Sequence, residues 1–192
     1  MQVLVVYAHP NHESFNEAIC QRIIQHFEQS GTAYHLIDLY SEKFDPVLIF
    51  NRQKRRSDMK TDPSTAEYRQ WVEQADHLIF IYPIWWSAMP AILKGFLDRV
   101  LVSGFAYTYQ GLYPHGLLKK KAATLIYTMD TPSLYARLFR RNIEWKSVKG
   151  PVFHFCGVKP VKRLVFYSVR TSDEKKRRKF LKRVDRLAVA ID

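Results

Sequence analysis

Short apolar runs alternate with amphipathic stretches along the whole chain. Runs such as 1–7 and 77–82 are apolar without alternation, which is typical of strands covered on both faces. The stretches between them carry apolar residues at helical spacing. The pattern predicts strands at 1–7, 34–39, 77–82, 122–128 and 164–169. It predicts helices near 14–30, 62–74, 90–100, 132–146 and 172–191.

Strands that alternate with helices favour a parallel sheet joined by right-handed crossovers. Five strands with helices on both faces fit a doubly wound α/β fold of three layers, the flavodoxin-like fold, with sheet order 2-1-3-4-5. A chain of 192 residues predicts one domain that covers 1–192. In this fold the ligand crevice lies at the carboxyl ends of strands one and three.

Composition indicates a packed globular protein. Hydrophobic residues make up 47% of the chain, and no run approaches the roughly 18 apolar residues that a bilayer span needs. The N-terminus opens directly on a strand and lacks signal-peptide features. Two cysteines, Cys20 and Cys156, are too few for a disulfide framework and show no metal-type spacing. We therefore expect a cytoplasmic protein with no metal site and no integral membrane segment.

The formal net charge of +12 is concentrated in two runs, 52–56 and 175–186. Such runs can bind nucleic acid or anionic membranes. Neither run is interleaved with exposed aromatics or matches a nucleic-acid-binding module. We interpret both runs as solvated faces and predict no nucleic-acid partner, although a basic surface would also attract phosphorylated cofactors.

The first loop has the features of an anion site. It joins strand one to helix one, where backbone N–H groups and the helix dipole favour phosphate. His9, Ser14 and Asn16 add side-chain donors, and either Ser14 or Asn16 caps the helix. The loop lacks the glycine patterns of dinucleotide-binding Rossmann folds and P-loops. Taken alone, it is interpreted equally well as a capped helix beside a surface histidine.

A pair of tryptophans follows the third strand. Pro83 ends the strand, Trp85 and Trp86 stand in the turn, and we expect Ser87 and Pro90 to start the next helix. A tryptophan pair more often belongs to a core, but this pair lies at a strand-to-helix turn. Open α/β sheets bind ligands at such turns, and a flat apolar platform suits a planar ring.

Several motifs occur in one order along the chain. Pro-Ala-Ile-Leu-Lys-Gly-Phe-Leu-Asp-Arg-Val at 90–100 is followed by Gly-Phe-Ala-Tyr at 104–107. Upstream stand Tyr-Ala-His-Pro at 7–10, Ser-Phe-Asn at 14–16, Asp-Leu-Tyr at 38–40 and Phe-Asp-Pro at 44–46. Together these motifs resemble the flavodoxin-fold NAD(P)H:quinone oxidoreductases, the DT-diaphorase-like enzymes and their short bacterial relatives.

The resemblance implies a flavin cofactor, FMN or FAD, with NAD(P)H as co-substrate and a quinone-like acceptor. It implies that the flavin phosphate is held by His9, Ser14, Phe15 and Asn16. The flavin ring would be lined by Pro83, Ile84, Trp85 and Trp86, and Thr128 would begin the next contacting loop.

The resemblance also implies a homodimer with its active site at the interface. Tyr107 and Tyr109 correspond to tyrosines that roof the substrate pocket of the partner subunit. Tyr135 corresponds to a tyrosine near the flavin carbonyl, where it would stabilise charge on the reduced ring. These three tyrosines are the predicted catalytic residues.

The chain departs from the longer family members after strand four. They have a Gly-Gly turn where this chain has Met-Asp-Thr-Pro at 129–132. Here Asp130 either accepts from the flavin ring or caps the helix that begins at Pro132. Ser87 replaces an aromatic residue, and a catalytic histidine is missing, with two arginines at 140–141 nearby instead.

We predict an enzyme that transfers hydride from NAD(P)H through a flavin to quinones in a ping-pong cycle. An alternative is an ancillary subunit of a potassium-efflux system. Some short family members that resemble this chain have that role, and the basic runs would dock an acidic domain or a membrane surface. A one-electron carrier of the flavodoxin type is disfavoured by the charge of +12, because such carriers are usually acidic.

Overall fold

A computed structural model describes residues 1–192. Its seven strands are β1 (Gln2–Tyr7), β2 (Ala33–Asp38), β3 (His77–Pro83), β4 (Tyr107–Gln110), β5 (Tyr113–Gly116), β6 (Ala122–Met129) and β7 (Val161–Tyr167). Five of them form one parallel sheet in the order β2-β1-β3-β6-β7. In the numbering of the predicted strands this order is 2-1-3-4-5, so the predicted fold class and topology are confirmed.

Six α-helices connect the strands. They are α1 (Phe15–Ser30), α2 (Ala66–Gln74), α3 (Ala91–Val100), α4 (Ser133–Leu138), α5 (Ile143–Val148) and α6 (Glu174–Val189). Helices α1 and α6 cover one face of the sheet, and α2, α3 and α5 contribute to the larger core on the other. None of the helices has the length and apolarity that crossing a membrane requires.

The bounds of α1 follow from its sequence. The Ser14 hydroxyl accepts from the Glu17 amide at 3.2 Å, which satisfies one of the free N–H groups of the first turn. Between the ends, buried apolar residues such as Ile23 and Phe27 face the sheet. Gly31 ends the helix at φ +75°, a conformation that glycine adopts without steric cost.

The region after β6 differs from the predicted single helix at 132–146. It forms α4 and α5 instead, because Arg141 and Asn142 both adopt left-handed conformations at φ +51°. A π-helical turn, Lys149–His154, then follows α5.

Two further predictions need correction. The segment 103–119, for which no strand or helix was predicted, contains the antiparallel hairpin of β4 and β5. The last strand begins at Val161, three residues before the predicted start, and it ends at Tyr167 because Ser168 adopts φ +58°. This strand lies at the edge of the sheet, where less of its surface needs to be buried.

Candidate functional site

Two cavities adjoin at the carboxyl edge of the sheet. The first cavity, about 350 Å³, is lined by the loop after β1, the start of α1, the ends of β3 and β6, and residues of α6 and the loop before it. The second cavity, about 220 Å³, is lined by the turn after β3, the end of β6 and residues of 136–144. They share Ile84, Met129 and Asp130 as walls. This is the crevice that the strand order predicts.

The structure brings all ten predicted cofactor-binding residues to these two cavities. The first cavity is lined by His9, Ser14, Phe15, Asn16, Pro83, Ile84, Trp85, Thr128 and Asp130. Trp86 lines the second cavity, together with Ile84 and Asp130. The roles of the individual residues stay predictions, but their shared location is a property of the fold.

Asn16 presents an unpaired polar atom at the first cavity. Its side chain is buried, and Nδ2 donates to the Thr128 hydroxyl at 2.9 Å, which ties α1 to the end of β6. Its Oδ1 atom is enclosed and has no hydrogen-bond partner. Because buried polar atoms are rarely left unpaired, this atom is suited to a polar ligand.

His9 presents a neutral ring at this cavity. Burial lowers the pKa of His9 below its usual value, so the neutral ring dominates near neutral pH. Nδ1 lies 3.0 Å from both the amide nitrogen and the carbonyl oxygen of Asn11, so Asn11 holds the ring through this atom. Nε2 is therefore the ring nitrogen left for a ligand.

Two arginines that the sequence analysis did not assign also line the first cavity. Arg177 projects from α6, its Nε donates to the Ser172 hydroxyl at 2.9 Å, and its guanidinium lies 5.5 Å from the centre of the Phe15 ring. Arg170 comes from the loop after β7. Glu13 and Asp130 also line the cavity, so two cations and two carboxylates face it beside the amino end of α1. The run at 175–186 is thus not entirely a solvated face.

The tryptophans stand on a tight turn. Amide and carbonyl groups of Trp85 and Ala88 exchange two hydrogen bonds of 2.9 Å, while Trp86 and Ser87 adopt φ +50° and +64°. This is the conformation of a type I′ turn, which is unusual for residues other than Gly, Asn and Asp. The prediction that Ser87 caps α3 is therefore wrong. Ser87 lies inside the turn, and the helix begins after Pro90.

The turn holds its aromatic rings away from the core. Trp86 is fully exposed and Trp85 is 42% exposed, so the interpretation of the pair as core packing is wrong. Backbone conformations of this kind persist where the surrounding structure imposes them and are common at binding sites. An exposed indole beside a cavity is well placed to contact a planar ligand.

Asp130 connects two loops at the carboxyl edge. Its Oδ1 accepts from the Arg170 amide at 2.9 Å, which joins the end of β6 to the loop after β7. Helix α4 has no side-chain cap, and its N-cap residue is Pro132. The proposed capping role of Asp130 is therefore wrong, whereas its contact with a flavin ring stays a prediction.

The three predicted catalytic tyrosines line neither cavity of this chain. Tyr135 is half-exposed and stacks on Phe139 with ring centres 5.2 Å apart. Tyr107 and Tyr109 lie on the β4–β5 hairpin and both rings contact Phe155 edge-on. The predicted roles of Tyr107 and Tyr109 belong to the site of a partner subunit, and all three roles stay predictions.

A buried acidic residue completes the second cavity. Glu144 of α5 lines its wall and accepts from the Tyr127 hydroxyl at 3.2 Å, and Arg163 of β7 lies 3.5 Å from the same carboxylate. The sequence analysis did not identify this group. No local pattern signals it, because the three residues lie on different elements.

Comparisons with known proteins agree with this fold. A family described as having a flavodoxin-like fold matches residues 1–188. An uncharacterized NAD(P)H oxidoreductase from Haemophilus influenzae is 32% identical, with 93% of this chain and 89% of that protein covered. A ribosyldihydronicotinamide dehydrogenase [quinone] from Rattus norvegicus is 31% identical, with 94% and 87% covered.

Among solved structures, Smu.1420 from Streptococcus mutans UA159 is similar, with 41% identity, a TM-score of 0.92 and 98% of each chain covered. The chain therefore belongs to the flavodoxin-like family of NAD(P)H oxidoreductases that includes the quinone reductases. The family identified from the sequence motifs is confirmed.

Proposed function

We propose that this protein is a flavin-dependent NAD(P)H oxidoreductase that reduces quinone-like acceptors. The observation that carries the proposal is the pair of adjoining cavities at the carboxyl edge of the sheet. The first has two arginines and an unpaired buried amide oxygen beside the amino end of α1, and the second combines apolar and polar side chains beside an exposed indole. A flavin has a phosphorylated chain and a planar ring, which match these two environments.

Residues of the first cavity would hold the flavin phosphate. The amino end of α1 offers backbone N–H groups, and His9 offers its Nε2 atom. Arg170 and Arg177 add positive charge, and Asn16 offers its free amide oxygen to a hydroxyl group of the ligand. These groups fix position and charge but take no part in the redox chemistry.

Residues of the second cavity would hold the ring. Ile84, Met129 and Ala136 make its apolar walls, and the turn that carries Trp86 borders it. A bound flavin supplies hydride transfer, which none of the side chains can perform. NAD(P)H and the acceptor would use the exposed face of that ring in turn, as in a ping-pong cycle.

We further propose that the protein works as a homodimer with its site at the interface. Large apolar side chains are exposed on the β4–β5 hairpin, at Leu112 and Tyr113, and on α4 and its end, at Leu138 and Phe139. Exposed apolar side chains of this size favour burial against another chain. A second copy would cover the open side of the cavities and exclude water from the ring.

The proposal is tested by mixing the purified yellow protein with NADPH or NADH without oxygen. We expect the flavin absorbance to bleach and to return when a quinone is added. Mass spectrometry of the released cofactor distinguishes FMN from FAD, and light scattering during gel filtration gives the oligomeric state. A protein that binds no flavin, or whose flavin is not reduced by either nucleotide, would rule the proposed function out.

A further inference from the structure

A buried charged network lies directly behind the second cavity. Glu144 is 3% exposed, and its Oε1 accepts from the Tyr127 hydroxyl at 3.2 Å and lies 3.5 Å from Nη1 of Arg163. Nη1 of Arg163 also donates to the Tyr127 oxygen at 3.0 Å, and Nη2 donates to Oδ1 of Asn142 at 3.1 Å. The Arg163 guanidinium is further held 5.1 Å from the centre of the Trp145 ring.

The two tyrosines of this region act only as neutral groups. Burial raises the pKa of Tyr127, and burial with the nearby Tyr127 and Glu144 raises the pKa of Tyr82. The Tyr82 hydroxyl is enclosed and has no hydrogen-bond partner. The charges of the network therefore reside on Glu144 and Arg163.

Packing alone does not account for this ion pair. Replacing a buried ion pair by apolar residues of similar volume is often neutral or stabilising, so such a pair is weak evidence for a structural role. The pairing is also incomplete, because Oε2 of Glu144 accepts no hydrogen bond from the protein. This Oε2 atom is not enclosed but keeps accessible surface, and Glu144 lines the second cavity.

We propose that the Glu144–Arg163 pair sets how readily a flavin ring in the second cavity accepts electrons. This inference depends on the proposed function, because it assigns a role toward the flavin. Hydride brings two electrons and one proton, so a neutral ring gains one negative charge unless a second proton follows. The negative charge of Glu144 at the cavity wall disfavours this added charge. The positive charge of Arg163, which lies further from the cavity, partly offsets that effect.

The burial of the pair strengthens this effect. Glu144 is almost fully buried, and a buried charge is screened less by water than one at the surface. Asp130 and Arg140 also line the cavity, but neither has an ion-pair partner that fixes its charge. Glu144 is held in place by Tyr127 and Arg163, so its charge has a fixed position relative to any ring bound there.

The experiment measures the midpoint potential of the flavin in the purified holoprotein, against a reference dye, for paired charge variants. Glu144→Gln keeps the shape of the side chain and removes the opposing charge. We expect the equilibrium constant for reduction to rise roughly tenfold, which for a two-electron couple is about 30 mV. Arg163→Gln should move the potential in the opposite direction, and the double variant should lie between the two.

Asp185→Asn is the matched control. It removes the same charge from an exposed carboxylate that pairs with Arg22 on the far side of α1 and α6, and it should leave the potential unchanged. Tyr127→Phe retains both charges but frees Glu144, and it should shift the potential less than Glu144→Gln. The charge variants leave an unpaired buried charge, which is costly, and could fold poorly for that reason. Tyr127→Phe then still tests the role of Glu144.

The outcomes separate this inference from the proposed function. If the flavin binds and is reduced by NAD(P)H, but Glu144→Gln and Asp185→Asn have equal potentials, the role of the pair is refuted and the proposed function stands. If Glu144→Gln lowers the potential, the sign of the inference is wrong and it falls. If the wild-type protein binds no flavin, both fall together.

Discussion

The two edges of the parallel sheet differ in how their polar groups are paired. At the amino edge Asp76 accepts from the Gln2 amide at 2.9 Å, and Lys121 donates to two backbone carbonyls. At the carboxyl edge, Oδ1 of Asn16 and the Tyr82 hydroxyl are enclosed without partners, as are Nε2 of His26 and of His35 away from the cavities. Of these four atoms, only the Asn16 oxygen belongs to a residue that lines a cavity, where a ligand can pair with it.

The backbone shows a weaker contrast. At the carboxyl edge Trp86 and Ser87 hold left-handed conformations on the turn after β3, and Ser168 does so directly after β7. At the amino edge His77 starts β3 in regular register, and its Nε2 lies 2.9 Å from the Thr124 hydroxyl of the neighbouring strand. Lys120, just before β6, adopts φ +69°, so left-handed backbone occurs at both edges, but only at the carboxyl edge does it place an aromatic side chain beside a cavity.

The largest expected effect is a loss of flavin affinity when the two arginines of the first cavity are replaced. Replacing both Arg170 and Arg177 by Gln removes the two cations that line the first cavity. We expect flavin to dissociate about 100-fold more readily, roughly 2.7 kcal/mol, because charged hydrogen bonds contribute about 1.5–3 kcal/mol each and these sites are partly hydrated. Isothermal calorimetry of the apoprotein with FMN and FAD gives the value.

The control for this pair is Lys179→Gln with Arg183→Gln. Both residues lie on α6, do not line the first cavity, and lose the same total charge. Equal loss of affinity in the two double variants would mean that net charge, and not the cavity, retains the flavin. The arginines at the carboxyl edge would then have no specific role in binding the flavin.

The second effect should appear only in stability. Nζ of Lys121 donates to the carbonyls of Glu73 and Ala75 at 2.7 and 2.6 Å, which closes the amino edge. Lys121→Met keeps the apolar stem and leaves both carbonyls without this donor, so we expect about 2 kcal/mol of destabilisation. Chemical denaturation measures it. Lys119→Met, at an exposed position nearby, should change the free energy of unfolding little. A loss of flavin affinity in Lys121→Met would show that the amino edge also affects cofactor binding.

A third effect uses pH. Burial, with the charge of Lys162, lowers the pKa of His77 to about 4, below the usual value near 6.5. The unfolded chain therefore takes up a proton at higher pH than the folded one. The stability that His77 contributes is complete above about pH 6.5 and is lost as the pH falls to about 4, by roughly 2 kcal/mol after allowance for partial exposure.

Unfolding at several pH values tests this expectation. His77→Gln retains a group that can pair with Thr124 but does not titrate, so its stability should fall less steeply between pH 6.5 and 4 than that of the wild-type protein. Parallel slopes would show that other groups dominate in this range. Flavin affinity of the two proteins at pH 7 should agree, because His77 lies at the edge away from the cavities.

The sequence predicted the amino edge and the sheet order well, since uninterrupted apolar runs mark buried strands wherever they occur. It also located ten of the residues that line the two cavities, because the ends of parallel strands converge on one edge. It misplaced the start of β7, where Lys162 and Arg163 interrupt the apolar run on an edge strand. It failed for the β4–β5 hairpin too, whose strands have only four residues each.

The parts of the site that sequence could not supply depend on distant contacts. Glu144 and Arg163 stand 19 positions apart and meet only after β7 pairs with β6 and α5 packs on the sheet. Arg177 was hidden in a basic run whose other members mostly face solvent. The place of Ser87 inside the turn was missed because a serine before a helix predicts a cap, and local sequence does not distinguish a cap from a turn.

The smallest effect concerns the exposed indole at the carboxyl edge. Trp86 makes no buried contact, so Trp86→Ala should leave the free energy of unfolding within about 0.5 kcal/mol, as is usual for surface substitutions. We expect flavin affinity to fall about tenfold, since stacking of a flat ring on an aromatic side chain contributes roughly 1–3 kcal/mol. Trp86→Phe retains an aromatic face and should recover most of the affinity. Unchanged affinity in Trp86→Ala would remove the indole from the ring site, whereas a large loss of stability would show that this edge, too, is built for folding.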